Sequence, residues 1–479
     1  VKRFAVLFVF LTLCFALLGS QHQERIQRTR NFPAIGLVEH SRQGEPMRFA
    51  MIWEGQPNSS YPYSITLTSD GGYLINAMTW AFGEGSCDMW LIKMDSNFEV
   101  EWQKTYGGEN HDGWSNCTVQ ETPDHGFLVF TDTNSFGFNF YDFWILKLSP
   151  TGEIEWQRTY GTREYDTADG DMQPTKDGGY IAIGSTQHPS TRKYDFWILK
   201  LDRYGQIEWE RSYGEPDAYE LGYSIQETND GGFIAGGSQM PPGSAYYRPL
   251  LLKISASGEI QWQKALGENE RKDFFFPHVR EASDGGYILE DTSLSAGAGG
   301  SDLWVVKLSP SGNVQWQKLY GGSQTEWGRD LCPTSDGGCL VAAATESYGA
   351  GSADFWLLKL DSRGNIEWQK TYGTGKFECT IDIIATDEGD YIVTGYSSVP
   401  TSLGSKFEMM IIKIAPNGEI GPCSLVQNTN ATVSLAPMAS AATHCVSLVK
   451  EVIIQDTPVV PGSTDEHPIL LCSNLHQPP

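Results

Sequence analysis

Short apolar runs bounded by turn-forming residues fill most of this chain, and they recur with one spacing. The stretch 165–213 shows the pattern clearly. A first strand leads into Lys176-Asp177-Gly178-Gly179, where paired glycines supply the positive φ that a tight hairpin demands. Residues 180–184 follow, with small side chains suited to a crowded place near an axis. After a longer loop comes Asp-Phe-Trp-Ile-Leu-Lys-Leu at 195–201, almost unbroken in apolar residues, as expected of a strand covered on both faces. Asp202-Arg203-Tyr204-Gly205 then turns the chain into Gln206-Ile207-Glu208-Trp209. The unit reads as one four-stranded antiparallel sheet.

This unit repeats. A tryptophan in a Glu/Gln-Trp setting stands at Trp102, Trp156, Trp209, Trp262, Trp316 and Trp368, at intervals of 54, 53, 53, 54 and 52 residues. The Asp-Gly-Gly turn falls at Asp70, Asp124, Asp177, Asp230, Asp284 and Asp336 and, degraded, near Glu388. The apolar run carries its lysine at Lys93, Lys147, Lys200, Lys253, Lys307, Lys359 and Lys413. Seven copies of a sheet that cannot bury both faces alone predict radial stacking, an all-β seven-bladed β-propeller with only short edges. The ends support closure. The last copy reads Glu419-Ile420-Gly421-Pro422-Cys423, with proline where the tryptophan belongs, and proline cannot donate to a ladder. The missing strand is available at residues 48–53, so the N-terminal strand is expected to complete the seventh blade. The predicted layout is a leader at 1–20, a linker at 21–47, the propeller at 48–423 and a cysteine-containing tail at 424–479.

The motif Asp-Gly-Gly-Tyr at 177–180, with Asp-Phe-Trp-Leu-Leu-Lys-Leu-Asp-x-x-Gly-x-Ile-x-Trp-Gln-Lys-Thr-Tyr-Gly at 354–373, resembles the propeller repeats of secreted, largely uncharacterised bacterial and archaeal proteins. Leu201-Asp202-x-x-Gly205-x-x-x-Trp209 is also distantly similar to the tryptophan-docking motif of quinoprotein propellers. The resemblance covers about residues 48–423 and implies a fold; the propeller hosts many activities, so it implies no particular function.

Composition adds the setting. Lys2 and Arg3, an apolar stretch from Phe4 to Leu18 and then Gly19-Ser20 form the layout of a secretory leader, and Val1 read as an alternative start codon points to a prokaryote. Removing residues 1–20 takes the formal charge from −25 to −27, a surface that repels nucleic acid and anionic lipid. No transmembrane segment is expected in the mature chain, which should be monomeric and lie outside the cytoplasm. Eight cysteines remain beyond Cys14, and Cys423, Cys445 and Cys472, around the tail, are the natural candidates for bridging.

In a repeat protein, residues present in every blade hold blades together, whereas residues confined to one blade are candidates for function. The tryptophans and strand lysines therefore read as structural. An acid precedes the first strand in six blades: Asp112, Asp166, Glu220, Asp273, Glu326 and Glu378. Gathered at one mouth these would hold calcium, the one cofactor the pattern admits; otherwise each carboxylate fixes its own turn, the reading favoured by the lack of a dense Asp-x-Asp-x-Asp loop. Departures from the repeat concentrate in blades four and five. Tyr246, Tyr247 and Arg248, with Arg271, Phe274, Phe275 and His278, are the residue types of recognition surfaces and sugar-stacking platforms. Nucleophile elbows, zincin motifs and phosphate loops are absent, so no catalytic residue is assigned. The expected function is a non-catalytic binding module for a protein or glycan at the cell envelope. The alternatives are a polysaccharide hydrolase or lyase with carboxylates at the channel mouth, and a structural surface protein.

Overall fold

A computed structural model of the chain describes residues 47–52, 60–80, 83, 85–114, 117–137, 140–267, 276–294, 297–401, 404–421, 425–429 and 431–435, and then 440–441, 446–448, 453–456, 462–463 and 469–473. The expected leader, and all of the expected linker except Met47, lie outside these residues. Every regular element among them is a strand.

Seven antiparallel four-stranded sheets form a seven-bladed propeller. In blade 1 the strands run from the channel outward as Ser60–Leu67, Tyr73–Thr79, Asp88–Met94 and Val100–Tyr106. The other blades follow the same order. Blade 7 is built from Phe377–Ala385, Tyr391–Thr401 and Gly404–Ile414, and Phe49–Ile52 completes it. Phe49 pairs with Lys413 as Trp102 pairs with Lys93, so the expected closure by the N-terminal strand is present, with phenylalanine in the tryptophan's position. The apolar cores lie between blades: Phe130, Phe143 and Tyr160 of blade 2 pack with Met172, Tyr180 and Trp197 of blade 3.

The repeated polar residues have specific duties. The strand lysine is buried and clamps its own blade, reaching back to the acid of the hairpin and, in blades 1, 2, 3 and 6, across to a glutamate of the outer strand. Lys93 lies 2.9 Å from Asp70 and 2.8 Å from Glu101, and Lys200 lies 2.9 Å from Asp177 and 3.0 Å from Glu208. Burial alone would raise Asp70 and Asp177, but the threonine hydroxyl and lysine ammonium on each outweigh it and bring both down to about 2.

Blade is joined to blade by the outer strand. Trp102 Nε1 donates to Pro150 O at 3.1 Å and Tyr106 Oη to Gly152 O at 2.7 Å, both in the last hairpin turn of blade 2. The pair recurs between blades 3 and 4 (Trp209, Tyr213) and between blades 6 and 7 (Trp368, Tyr372). Gly152 is required there twice over: its φ is +74°, and a Cβ would meet the Trp102 ring at 3.0 Å.

At the seam between blades 7 and 1 this latch is replaced. The turn position held elsewhere by glycine is Phe98, at φ 63°, and its ring lies 4.1 Å edge-on to Phe49 and 4.2 Å stacked on Tyr73. Both phenylalanines are buried. An apolar clasp thus closes the ring where the repeat's indole is missing.

The tail forms short strands of its own. From residue 426 it returns around the ring in reverse blade order and pairs antiparallel with every outer strand. Val426–Asn428 lies on blade 6, Thr432–Leu435 on blade 5, Ser440–Ala441 on blade 4 and Val446–Leu448 on blade 3. Ile453–Asp456 lies on blade 2, Gly462–Ser463 on blade 1 and Ile469–Ser473 on the N-terminal strand of blade 7. This belt gives each blade a fifth, short strand and covers the row of free N–H and C=O groups that an outer edge would otherwise present. Cys423 and Cys445 lie outside the described residues, and Cys87, Cys117, Cys332, Cys339 and Cys379 are free thiols.

Two outcomes are expected. Phe98→Ala should cost about 3 kcal/mol of stability, the usual loss for a buried phenylalanine ring, whereas Tyr213→Phe, which removes one latch bond, should cost about 1 kcal/mol; urea unfolding of both compares the seam with a standard joint. Deleting residues 425–479 should raise amide exchange selectively in the outer strands and promote association. Exchange that rises equally in the inner strands would mean that the belt holds the ring closed instead of shielding its edge.

Candidate functional site

The inner strands surround a channel, and a cavity of ≈ 430 Å³ in it is lined by residues of all seven blades. Its chemistry is set by one position on each inner strand, nine residues before the residue that follows the Gly-Gly pair. That position holds Ser64, Thr118, Asp171, Ser224, His278, Asp330 and Asp382 in blades 1 to 7. It has a structural duty, since its side chain accepts the backbone N–H of the next blade. Met172 N donates to Thr118 Oγ1 at 3.1 Å, Val279 N to Ser224 Oγ at 3.1 Å, Ile383 N to Asp330 at 3.3 Å and Ile65 N to Asp382 at 2.9 Å.

A hydroxyl is sufficient for that bond; the ionisable residues bring something more. Arg280 of blade 5 reaches across the channel, with Nη1 3.1 Å from Asp171 of blade 3 and Nη2 3.4 Å from Asp330 of blade 6. Burial would weaken its hold on the proton, but Asp171, Asp330 and Asp382 outweigh this and raise its pKa. Asp382 hydrogen-bonds Asp330; burial first, and then the Asp330 charge, hold its carboxyl well above the ordinary 3.8. The carboxyl of Asp382 thus holds its proton more tightly than an ordinary carboxyl does. His278 stands on the same wall with Nδ1 3.3 Å from Oε1 of the fully buried Glu290. Burial opposes its charging, but the Glu290 hydrogen bond and the Asp330 charge prevail and raise its pKa. Glu290 belongs to blade 5 alone; the equivalent position elsewhere is Asn76, Phe130, Ile183, Gly236, Ala342 or Thr394.

Above this level, toward the mouth away from the Asp-Gly-Gly hairpins, Tyr63 lines the channel, and further aromatic rings packed between the blades form a collar behind it. In blades 1, 4, 6 and 7 the inner strand carries a bulge whose extra residue is Tyr63, Tyr223, Arg329 or Ile381, and a bulge re-aims its side chain. Tyr63 donates to Trp114 O at 2.6 Å and lies 5.3 Å from Tyr61; Tyr61 lies 4.6 Å from Tyr396, and Tyr396 packs on Phe377 and Phe407. Phe377 meets Trp327, and Tyr223 meets Phe276 edge-on at 4.9 Å. The collar draws on every blade except blade 3.

The acids singled out in the sequence do not make a ring at this mouth. Asp112, Asp166, Glu220, Glu326 and Glu378 are wholly buried, each bonded within its own blade or joint. Gly108 N donates to Asp112 at 2.7 Å, Gly322 N to Glu326 at 3.0 Å and Gln239 Nε2 to Glu220 at 3.0 Å. Burial pushes Glu220 up to about 8. Carboxylates that face N–H donors are turned away from a cation, so these residues do not fit a calcium site, and no cluster of three or more metal-ligating side chains occurs among the described residues. Asp273 lies outside them, as do Arg271, Phe274 and Phe275. Tyr246 and Tyr247 are half-buried instead of forming an exposed platform, with Tyr247 set edge-on to Tyr219. Arg248 replaces the repeat's aspartate and binds Gln239 at 2.8 Å, which in turn holds Glu220. His278 alone of that group lines the cavity. Asp171, Arg280, Glu290, Asp330 and Asp382 escaped the sequence reading, although aligning the inner strands on their glycines would have displayed Asp171, Asp330 and Asp382 as departures from a Ser/Thr position.

No protein-family model and no curated protein sequence matches the chain. Solved structures similar to it include an endo-arabinase from Bacteroides thetaiotaomicron, at 12% identity over 53% of this chain and 94% of that one, with a TM-score of 0.31. A subtype N11 neuraminidase-like protein of a flat-faced bat strain is similar at 11% identity over 78% and 95%, TM-score 0.37. A polysaccharide lyase is similar at 9% identity over 75% and 90%, TM-score 0.41.

The raised Asp382 has a thermodynamic sign. The folded state favours its protonated form, so the stability this group contributes is full below the ordinary 3.8 and falls as pH rises toward its folded value. Asp382→Asn, which keeps both hydrogen bonds without a titrating proton, should be more stable than the parent at neutral pH and nearly equal to it near pH 3.8. Melting curves across that range check this; a constant difference at every pH would mean that Asp382 is ionised in the folded protein.

Proposed function

We propose that the protein is an exported saccharide-binding propeller whose ligand enters the aromatic-collared mouth of the central channel and rests on the polar level formed by Asp171, His278, Arg280, Asp330 and Asp382. The observation that supports this is the combination, in one ≈ 430 Å³ cavity, of the Tyr63 ring with convergent charged donors and acceptors. Sugars present apolar C–H faces and hydroxyl rims, and a site of this composition serves both. The location is favoured over the loops of blades four and five because Tyr246, Tyr247 and Arg248 are engaged in packing. Export rests on the leader expected at residues 1–20.

A second reading, cleavage of the bound glycan, is favoured by one feature. Asp382 would supply a proton to a leaving glycosidic oxygen while an ionised carboxylate across the channel activated water, which is the division of labour that general acid–base hydrolysis needs.

A glycan array probed with the full chain tests the binding reading. Tyr63→Ala should weaken the strongest interaction by about tenfold or more, the usual effect of removing a stacking ring. The double variant Tyr246→Ala, Tyr247→Ala should bind like the parent. The opposite pattern would move the site to the loops of blades four and five. Release of reducing ends from the bound glycan, abolished in Asp382→Asn with binding retained, would establish the second reading.

A further inference from the structure

Arg329 is the residue that neither the fold nor the charged level below it accounts for. It is the extra residue of the blade 6 bulge, between Gly328 and Asp330, and its neighbours come from several other blades. Its guanidinium lies 5.9 Å from the ring of Phe276 in blade 5, hydrogen-bonds Cys379 of blade 7, and draws down the phenols of Tyr61 in blade 1 and Tyr396 in blade 7 against the burial that raises them. Only a side chain directed toward the axis reaches such a set. It is half-buried, and its Nε is enclosed without a hydrogen-bond partner.

Other arginines inside the fold are neutralised. Arg48 lies 3.0 Å from Asp390, Arg211 lies 2.7 Å from Glu259, and Arg280 has two aspartates. No carboxylate lies within ion-pair distance of Arg329 among the described residues, in a chain of formal charge −25. Glu290, whose proton affinity Arg329 lowers, is engaged by His278 through Oε1 and is not within ion-pair distance of the guanidinium, although its Oε2 faces Gly328. Arginine stays charged in any such setting, and a desolvated guanidinium without a counter-ion is unfavourable unless something else supplies the charge. Its planar fork matches a carboxylate or a sulfate.

We propose that Arg329 is the anchor for a single anionic group, a carboxylate or a sulfate ester, so that the saccharide received by the channel mouth is an acidic one. This rests on the saccharide reading above and names the ligand class. Because the chain as a whole repels anions, affinity should come from the desolvated contact and not from long-range attraction. Raising ionic strength to about 0.15 M should therefore leave binding unchanged or strengthen it.

The test uses the full chain and its Arg329→Gln and Arg329→Lys variants. Calorimetry is run with an oligogalacturonate, a sulfated galactan oligosaccharide and a neutral arabino-oligosaccharide; acetate and sulfate alone are titrated while melting is followed. The parent should bind one acidic oligosaccharide at least tenfold tighter than the neutral one. Arg329→Gln should lose about thirtyfold of that affinity, the loss expected for one charge-assisted pair, while Arg329→Lys keeps part of it. The oligosaccharide retained tells carboxylate from sulfate. If small anions raise the melting temperature of the parent but not of Arg329→Gln and no oligosaccharide binds, the anchor stands and the saccharide reading falls. Equal affinity for neutral and acidic ligands, or a glutamine variant that binds the acidic one undiminished, overturns the proposal. So does the absence of any anion effect on the parent.

Discussion

An indole and a phenol donating into the glycine turn of the next blade constitute the constraint on which the structure depends. The Trp102 and Tyr106 bonds to Pro150 O and Gly152 O fix how far one sheet stands from the next and at what angle, and repeated joints of this kind set the ring. The glycine cannot be exchanged freely, because the turn needs positive φ and the ring rests where a Cβ would be. The lysine clamp inside each blade then holds the hairpin aspartate against the strands that carry the latch. Local hairpin geometry and long-range blade order thus agree at the same residues, the consistency that makes a repeat sequence specify one closed form.

Closure brings its own requirement. A ring assembled from identical joints must be sealed where the two ends of the chain meet, and here the seam has a different chemistry from the joints. The Phe49–Phe98 contact replaces the indole bond, and Phe98 accepts a left-handed backbone where glycine stands elsewhere, a conformation that costs about 1–2 kcal/mol for a residue with a Cβ. The belt adds a second means of closure: its last strand, Ile469–Ser473, lies on Phe49–Ile52, so both ends of the chain are bound into blade 7. A short N-terminal strand held between a long third strand and the end of the belt is harder to peel away than an edge strand alone.

How much of this was legible follows from the same logic. The repeat, the blade count, the strand order and the N-terminal closure were readable because each rests on residues that recur or are conspicuously missing, as with Pro422 after Gly421. The belt was not, because two- to five-residue strands rich in Ser, Thr and Val carry little periodic signal and take their register from the edges they meet. The acids before the inner strands were visible, but their destination was not, since burial and the N–H donors around Asp112 or Glu326 are properties of the closed ring. The loops of blades four and five attracted notice because they break the motif loudly. Asp171, Asp330 and Asp382 break it quietly, at a position where the repeat itself is only a preference for a small hydroxyl.

That quiet position carries the strongest argument that the channel is more than a consequence of the fold. Thr118 and Ser224 receive the next blade's N–H at 3.1 Å, and Asp382 receives it at 2.9 Å, so the structural duty is met equally well by a neutral side chain. A protein needing only a stable ring would gain from a hydroxyl in every blade, because burying carboxylates close enough to raise one another's proton affinity is unfavourable, and Arg280 offsets only part of it. Blades 3, 5, 6 and 7 nevertheless place ionisable groups there, all facing one cavity and all on the wall beneath the aromatic collar. Groups that the fold can do without, gathered where a ligand has access, are what a binding or reactive site requires.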